Sequence, residues 1–156
     1  MTDSTLPIRA ARAEDLSAIR ALLRTCDLPG EDLMPAHLAH FLVAPAGDDL
    51  RGCVGLEPRG EVALLRSLAV RPAARGRGLG GRLVGTVHRR AYGTGVRTLY
   101  LLTTTAAPFF RRRGYEQIAR EALPEALQQT EQAARLCPAS ATCMRKRLDA
   151  PTGDAA

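Results

Sequence analysis

Residues 62–85 read VALLRSLAVRPAARGRGLGGRLVG, and this stretch decides the architecture. Glu61 to Val70 is a run of mostly apolar, β-compatible residues, long enough for a strand and stopped by Pro72. Arg75-Gly76-Arg77-Gly78-Leu79-Gly80-Gly81 is a glycine-dense turn. From there Leu79, Leu83, Val84, Val87 and Ala91 recur at helical spacing as far as about Tyr92, with Gly93 and Gly95 closing the helix. Arg97 to Thr103 is a second apolar strand. Strand, glycine turn, helix, strand is a βαβ unit.

Outward from this centre the signals change. Leu6–Ala10 reads as a short strand, and a helix over about Ala13–Thr25 puts Leu16, Ile19, Leu22 and Leu23 on one face. Pro29-Gly30 ends it, a helical stretch follows at Met34–His40, and Phe41–Val43 opens a strand. Arg51–Leu56 and the strand from Glu61 flank a hairpin loop at Pro58-Arg59-Gly60. Ala106–Arg113 begins another helix, and Gly114-Tyr115 turns the chain toward its C-terminal part. Antiparallel hairpins around a βαβ unit predict a mixed α/β fold, with residues 1–148 as a single domain and 149–156 as a flexible tail.

The chain has 156 residues, 46% hydrophobic and 24% charged, as expected for one globular domain. No apolar run approaches the ~18 residues of a membrane span. Met1–Ile8 holds Asp3 and Pro7 without a basic-then-apolar layout, so a cytoplasmic protein without a secretory leader is expected, with its four cysteines reduced. Twenty-two basic residues against 16 acidic give a net charge of +6. The imbalance is concentrated: Val62–Tyr115 carries 11 arginines and no Asp or Glu. Such a stretch expects an anionic guest.

The glycine turn is suited to one. Glycines let the backbone approach a ligand, a helix N-terminus presents free N–H groups, and Arg75 and Arg77 add charge suited to a pyrophosphate. A P-loop requires Gly-Lys-Ser/Thr, which is absent. Gly76, Gly78 and Gly81 match the dinucleotide pattern G-x-G-x-x-G, but the ribose-binding acid that should follow is missing from this acid-free stretch. No helix-turn-helix or RNA-stacking motif accompanies the arginines, which disfavours nucleic acid.

A third reading carries more of the chain. Arg75, Gly78 and Gly80 match Gln/Arg-x-x-Gly-x-Gly/Ala, preceded by Ser67-Leu68-Ala69-Val70-Arg71-Pro72. About 30 residues on stands Phe109-Phe110-Arg111-Arg112-Arg113-Gly114-Tyr115. Together these resemble the two motifs of the GNAT superfamily of N-acetyltransferases, with the resemblance running from about Leu6 to Leu148. It implies a central, mixed and largely antiparallel sheet flanked by helices, and acetyl-CoA as donor with no metal. Leu68, Ala69 and Val70 would pair with the pantetheine amides; Arg75, Gly76, Arg77, Gly78, Leu79, Gly80 and Gly81 would hold the pyrophosphate; Phe110 would turn an edge to the cofactor. Such domains often pair, which implies a homodimer.

Leu65-Arg66-Ser67-Leu68, Leu101-Leu102-Thr103 and Leu123-Pro124-Glu125-Ala126 are similar to the acetyltransferase domain of bacterial N-acetylglutamate synthases. Leu102-Thr103-Thr104-Thr105-Ala106 with Leu136-Cys137-Pro138-Ala139-Ser140-Ala141 is most similar to the arsenic-resistance-associated N-acetyltransferases. Both imply a small amino acid or a glutamate-like acceptor, phosphinic and arsenical mimics included. A short N-acetylglutamate synthase and a non-catalytic acetyl-CoA sensor stay open as alternatives.

The implied reaction is attack of a neutral amine on the acetyl thioester, which calls for a base and for an acid at the leaving thiolate. Phe110 and Leu64 stand where many members have a tyrosine and a glutamate. Glu57, near a strand end, is the remaining candidate base, acting through water, with a solvated strand-end glutamate as the other reading. Arg66 lies mid-strand between apolar residues; clamping the acceptor's carboxylate would suit a guanidinium there, and an internal ion pair is the other reading. Ser67, Thr103 and Thr104 are candidate acceptor contacts, with loop capping an alternative for the threonines, and Arg135 is a second candidate anion contact. His88 reads as a helix-surface residue. Cys137 and Cys143 are too far apart for a zinc pair, and the histidines have no visible metal partner.

Overall fold

A computed structural model describes residues 7–150. Leu6 and residues 151–156 of the expected tail lie outside them, as does most of the stretch read for a leader. The strands are β1 (Arg9–Ala10), β2 (Phe41–Ala46), β3 (Asp49–Arg59), β4 (Val62–Val70), β5 (Thr98–Thr103), β6 (Glu116–Ile118) and β7 (Thr142–Arg147). The α-helices are α1 (Leu16–Thr25), α2 (Leu79–Gly93), α3 (Ala107–Arg111) and α4 (Glu125–Gln128). The strands are ordered β1-β2-β3-β4-β5-β7-β6. β4 pairs with β5 in parallel, with Val62 opposite Thr98 and Leu64 opposite Tyr100, as a βαβ crossover requires. The pairings β1–β2, β2–β3, β5–β7 and β6–β7 are antiparallel. This is the mixed, mostly antiparallel sheet with helices that the sequence predicts.

The chain folds into two compact units: the first from the chain up to Glu57 with Arg66–Val87, the second from Pro58–Leu65 with His88 onward. In the first, α1 places Ile19, Leu22 and Leu23 at i, i+3 and i+4 and buries all three. Leu33, Leu38, Phe41, Val43, Leu50, Cys53 and Ala69 complete that core. Each fully buried aliphatic side chain contributes about 1.5–3 kcal/mol. Phe41 is wholly buried, and a Cβ at Gly55 would stand 2.2 Å from its Cε1. Gly55 is therefore glycine for space: Gly55→Ala is expected to cost about 1–3 kcal/mol by overpacking, measured by urea unfolding. An unchanged midpoint would show that Phe41 can move aside.

In the second unit Leu64, Tyr100, Leu123, Leu127, Ala133 and Cys143 form the core. β6 and β7 were not legible in the sequence. β7 reads Thr-Cys-Met-Arg-Lys-Arg, half of it basic and without alternation, yet it is flanked by β5 and β6. Ladder hydrogen bonds to both neighbours, rather than side-chain patterning, make it a strand. Where one N-terminal helix was expected, Ala13–Asp15 is a 3₁₀ turn leading into α1, and Met34–His40 becomes a 3₁₀ turn over Pro35–His40.

Candidate active site

β4 leaves the sheet at Val70, and Pro72–Ala74 makes one 3₁₀ turn. Arg75 Nε then donates to Val70 O at 2.9 Å, folding the loop back on the strand end. Gly76 and Gly78 have φ of +84° and +83°, which an L side chain adopts only with strain. The loop from Arg75 to Gly78 is exposed, whereas Leu79 is buried and roots the start of α2. The first-turn amides of Leu79, Gly80 and Gly81 precede any intrahelical acceptor, so this end of the 15-residue helix presents N–H groups and the positive end of its dipole. Leu68, Ala69 and Val70 form the last three positions of β4, and Val70 O also accepts from Cys26 Sγ at 3.6 Å.

Immediately before them the strand is distorted. Ser67 has φ +59° in the middle of β4, a left-handed conformation costing roughly 1–3 kcal/mol for a non-glycine residue. In a regular strand Arg66 and Ser67 would face opposite ways. Here Arg66 Nε reaches Ser67 Oγ at 2.9 Å. The guanidinium's Nη1 donates to Asp32 Oδ2 at 2.5 Å and to Glu57 Oε2 at 2.8 Å, and its Nη2 donates to Asp32 Oδ1 at 2.8 Å. The three side chains are 1%, 5% and 6% exposed for Arg66, Asp32 and Glu57. Burial works against the guanidinium's charge, but the hydrogen bonds and charge of Asp32, then of Glu57, outweigh it and raise Arg66 above its ordinary value. Burial likewise pushes Asp32 upward, and the bonds and charge of Arg66 overcome it, holding the carboxyl below its ordinary value.

In the acceptor-free protein the fork of Arg66 is turned onto Asp32, the internal ion pair that was its other reading, because a buried guanidinium requires anionic partners. Glu57 is no solvated strand end: it is buried and paired with Arg66. Asp32 lies 34 residues from Arg66 in sequence, and no local signal marked it.

The remaining candidates belong to the second unit. Thr103 Oγ1 accepts from Ala106 N at 2.9 Å, a loop cap, and Thr104 is exposed. Arg135 is exposed and paired with Glu131 one helical turn away. Phe110 is buried, edge-on to both Phe109 and Tyr115.

His88 departs most from expectation. Its Nε2 is 2.8 Å from Tyr115 Oη, and burial, followed by the charges of Lys146 and Arg89, pushes it down to about 4 from 6.5. The unfolded chain takes up this proton below pH 6.5, the folded protein only near pH 4. Stability is therefore full above pH 6.5 and falls between 6.5 and 4, by about 2–3 kcal/mol from this group. His88→Gln should flatten that part of the pH–stability curve in chemical denaturation; an unaltered slope would refute the assignment.

Burial pushes the Cys53 thiol up to about 12, and all four cysteines are free. Among the described residues no group of three or more His, Cys, Asp or Glu is gathered as for a metal ion, and no helix is long and apolar enough to cross a membrane.

The sequence profile of the acetyltransferase (GNAT) domain matches residues 37–117, from the end of the 3₁₀ turn through β4, the glycine loop, α2 and β5 into β6. The chain belongs to the GNAT acetyltransferase family. It is homologous to amino-acid acetyltransferases of Neisseria meningitidis, 28% identical over 131 residues, covering 79% of this chain and 30% of the relative. The enzyme of that name from Pseudomonas aeruginosa is 31% identical over 127 residues, covering 76% of this chain and 29% of the relative. This GNAT chain thus spans about 30% of the length of the relatives it matches. Its fold superposes on N-acetylglutamate synthase from Neisseria gonorrhoeae, a structure containing coenzyme A and N-acetylglutamate, with a TM-score of 0.80 at 24% identity, covering 95% of this chain and 36% of the other.

Proposed function

We propose that this protein is an acetyl-CoA-dependent N-acetyltransferase that acetylates the amine of a small amino acid or glutamate-like acceptor, phosphinic and organoarsenical mimics of glutamate included, in resistance to such compounds. The observation that carries the donor is the run from β4 through two left-handed glycines to the N-terminus of α2. Its chemistry fits a pyrophosphate: backbone N–H groups, a helix dipole, and a loop bearing Arg75 and Arg77. Arg75–Gly81 would hold the pyrophosphate and Leu68–Val70 would align the pantetheine arm. On this reading residues 1–148 act as one acetyltransferase domain.

The acceptor class is supported by the amino-acid acetyltransferase relatives and by Arg66, whose planar fork suits a carboxylate. Glu57 is tied to Arg66, and Leu64 and Phe110 replace the usual acid–base groups, so the chemistry rests on placing the amine against the thioester while water carries its proton. Coenzyme A release from acetyl-CoA, measured against glutamate, the other amino acids, phosphinothricin and simple amines, tests this. Turnover confined to amino acids and glutamate mimics is expected. Turnover with glutamate alone would make it a short N-acetylglutamate synthase, tight binding without turnover a sensor, and failure to bind acetyl-CoA would end the proposal.

A further inference from the structure

Arg66 is placed to read a carboxylate, yet its side chain is 1% exposed and its fork is filled. If an acceptor's carboxylate is to reach that fork, one of the groups around it must leave. Glu57 and Arg66 both stand on strands, β3 and β4, and the left-handed backbone at Ser67 goes with the Arg66 Nε–Ser67 Oγ hydrogen bond that directs the guanidinium. Asp32 has a different footing. It lies in a turn with Glu31, and both Glu31 and Met34 are exposed, Met34 to 58%. Leu33 beside it is fully buried and holds the backbone, so release of the fork would come from rotation of the Asp32 side chain rather than from movement of the turn.

Charge counting permits the exchange. Glu57, 2.8 Å away, already matches the single positive charge of Arg66. Asp32 is the second anion on one cation, so the three groups together carry one excess negative charge. An incoming carboxylate that takes the place of Asp32 leaves that count unchanged. It also restores both fork hydrogen bonds, while the displaced Asp32 regains water. Exchange therefore avoids the large cost of stranding a buried guanidinium.

We propose that Asp32 is a built-in stand-in for the acceptor's carboxylate: it closes the Arg66 fork in the acceptor-free protein, the acceptor's carboxylate displaces it, and the competition confines the fork to acceptors that carry one. This rests on Arg66 being the acceptor's anchor, as read above. An amine without a carboxylate has nothing to exchange and leaves the Asp32–Arg66 pair closed.

The test compares wild type with Asp32→Asn and Asp32→Ala, using coenzyme A release from acetyl-CoA with the protein amino acids and with the corresponding decarboxylated amines. A fork closed nine parts in ten raises the apparent KM about tenfold, so removing the competitor should lower KM for the carboxylate acceptor by about that factor. The matching decarboxylated amines should remain non-substrates in the variants, and the affinity for acetyl-CoA should not change. An unchanged or raised KM for the carboxylate acceptor, with acetyl-CoA affinity retained, would make Asp32 a fixed structural partner and overturn the exchange alone. Absence of turnover with every acceptor, in wild type and variants that still bind acetyl-CoA, would overturn the acceptor reading and the exchange with it. If neither variant folds, carbon-13 NMR of the side-chain carboxylates of wild type supplies the readout: the Asp32 signal should shift toward that of a solvated carboxylate when the amino-acid acceptor is added, and an unmoved signal overturns the proposal.

Discussion

Arg66→Met is expected to destabilise the protein by about 3–5 kcal/mol, the usual cost of removing one partner from a buried ion cluster. Methionine matches the aliphatic length of arginine and leaves no large void, so the loss is electrostatic. Asp32 and Glu57, almost wholly buried, would be left facing each other without the guanidinium that now bonds to both. The pH dependence distinguishes this from a packing defect. In wild type, Asp32 lies below its ordinary value, so the stability it contributes is present above the unfolded pKa and is lost as pH falls through the folded one. In Arg66→Met the sign reverses for Asp32: burial without a cation raises its pKa, the folded state takes up the proton first, and the deficit shrinks as pH falls toward 4. Urea unfolding between pH 4 and 8 measures both effects. Adding Asp32→Asn and Glu57→Gln to Arg66→Met should recover part of the loss, since neutral amides are cheaper to bury than carboxylates. A deficit that is independent of pH and not recovered would show that Arg66 matters for packing rather than charge.

Gly78→Asp should weaken acetyl-CoA binding by about 30–100-fold, equivalent to about 2–3 kcal/mol, while leaving the fold largely intact. Two opposing terms govern its stability. A left-handed φ of +83° costs a side-chain-bearing residue about 1–2 kcal/mol. Aspartate immediately before a helix is a favourable N-cap, contributing about 1 kcal/mol in the other direction. A Cβ at Gly78 meets nothing within 4 Å, so no clash is added. For the ligand both consequences are unfavourable: the new carboxylate competes for the first-turn amides of α2 and repels a pyrophosphate. Gly78→Ala carries only the backbone strain and should weaken binding much less. Calorimetric titration with acetyl-CoA, alongside thermal unfolding of the same samples, separates the two. Equal affinity in wild type and Gly78→Asp would move the pyrophosphate away from this loop.

Both predictions depend on residues that the sequence displayed to very different degrees. The glycine loop was legible because its signals are local. A strand stopped by Pro72, glycines where the backbone turns left-handed, and an apolar stripe starting at Leu79 all act within a few residues of one another. Hence β4, α2 and β5 lie within one or two residues of their expected limits, and the family resemblance followed from the same stretch. The arginine-rich, acid-free run from Val62 to Tyr115 also pointed to an anionic guest before any fold was known.

What the sequence could not show is everything set by residues distant in the chain. Arg66 was conspicuous, but whether its fork faced a guest or a partner depended on Asp32, 34 residues earlier in a turn without pattern. The left-handed backbone at Ser67 has no signature, since serine is not a residue that φ > 0 favours; the surrounding contacts impose it. His88 looked like a surface position until Tyr115, 27 residues on, came within 2.8 Å and burial lowered its pKa. β7 is strand only because β5 and β6 supply its hydrogen bonds. Local chemistry fixes where the backbone turns and which face is apolar; burial and long-range pairing decide which charges meet, and in this protein that decided the state of the candidate acceptor anchor.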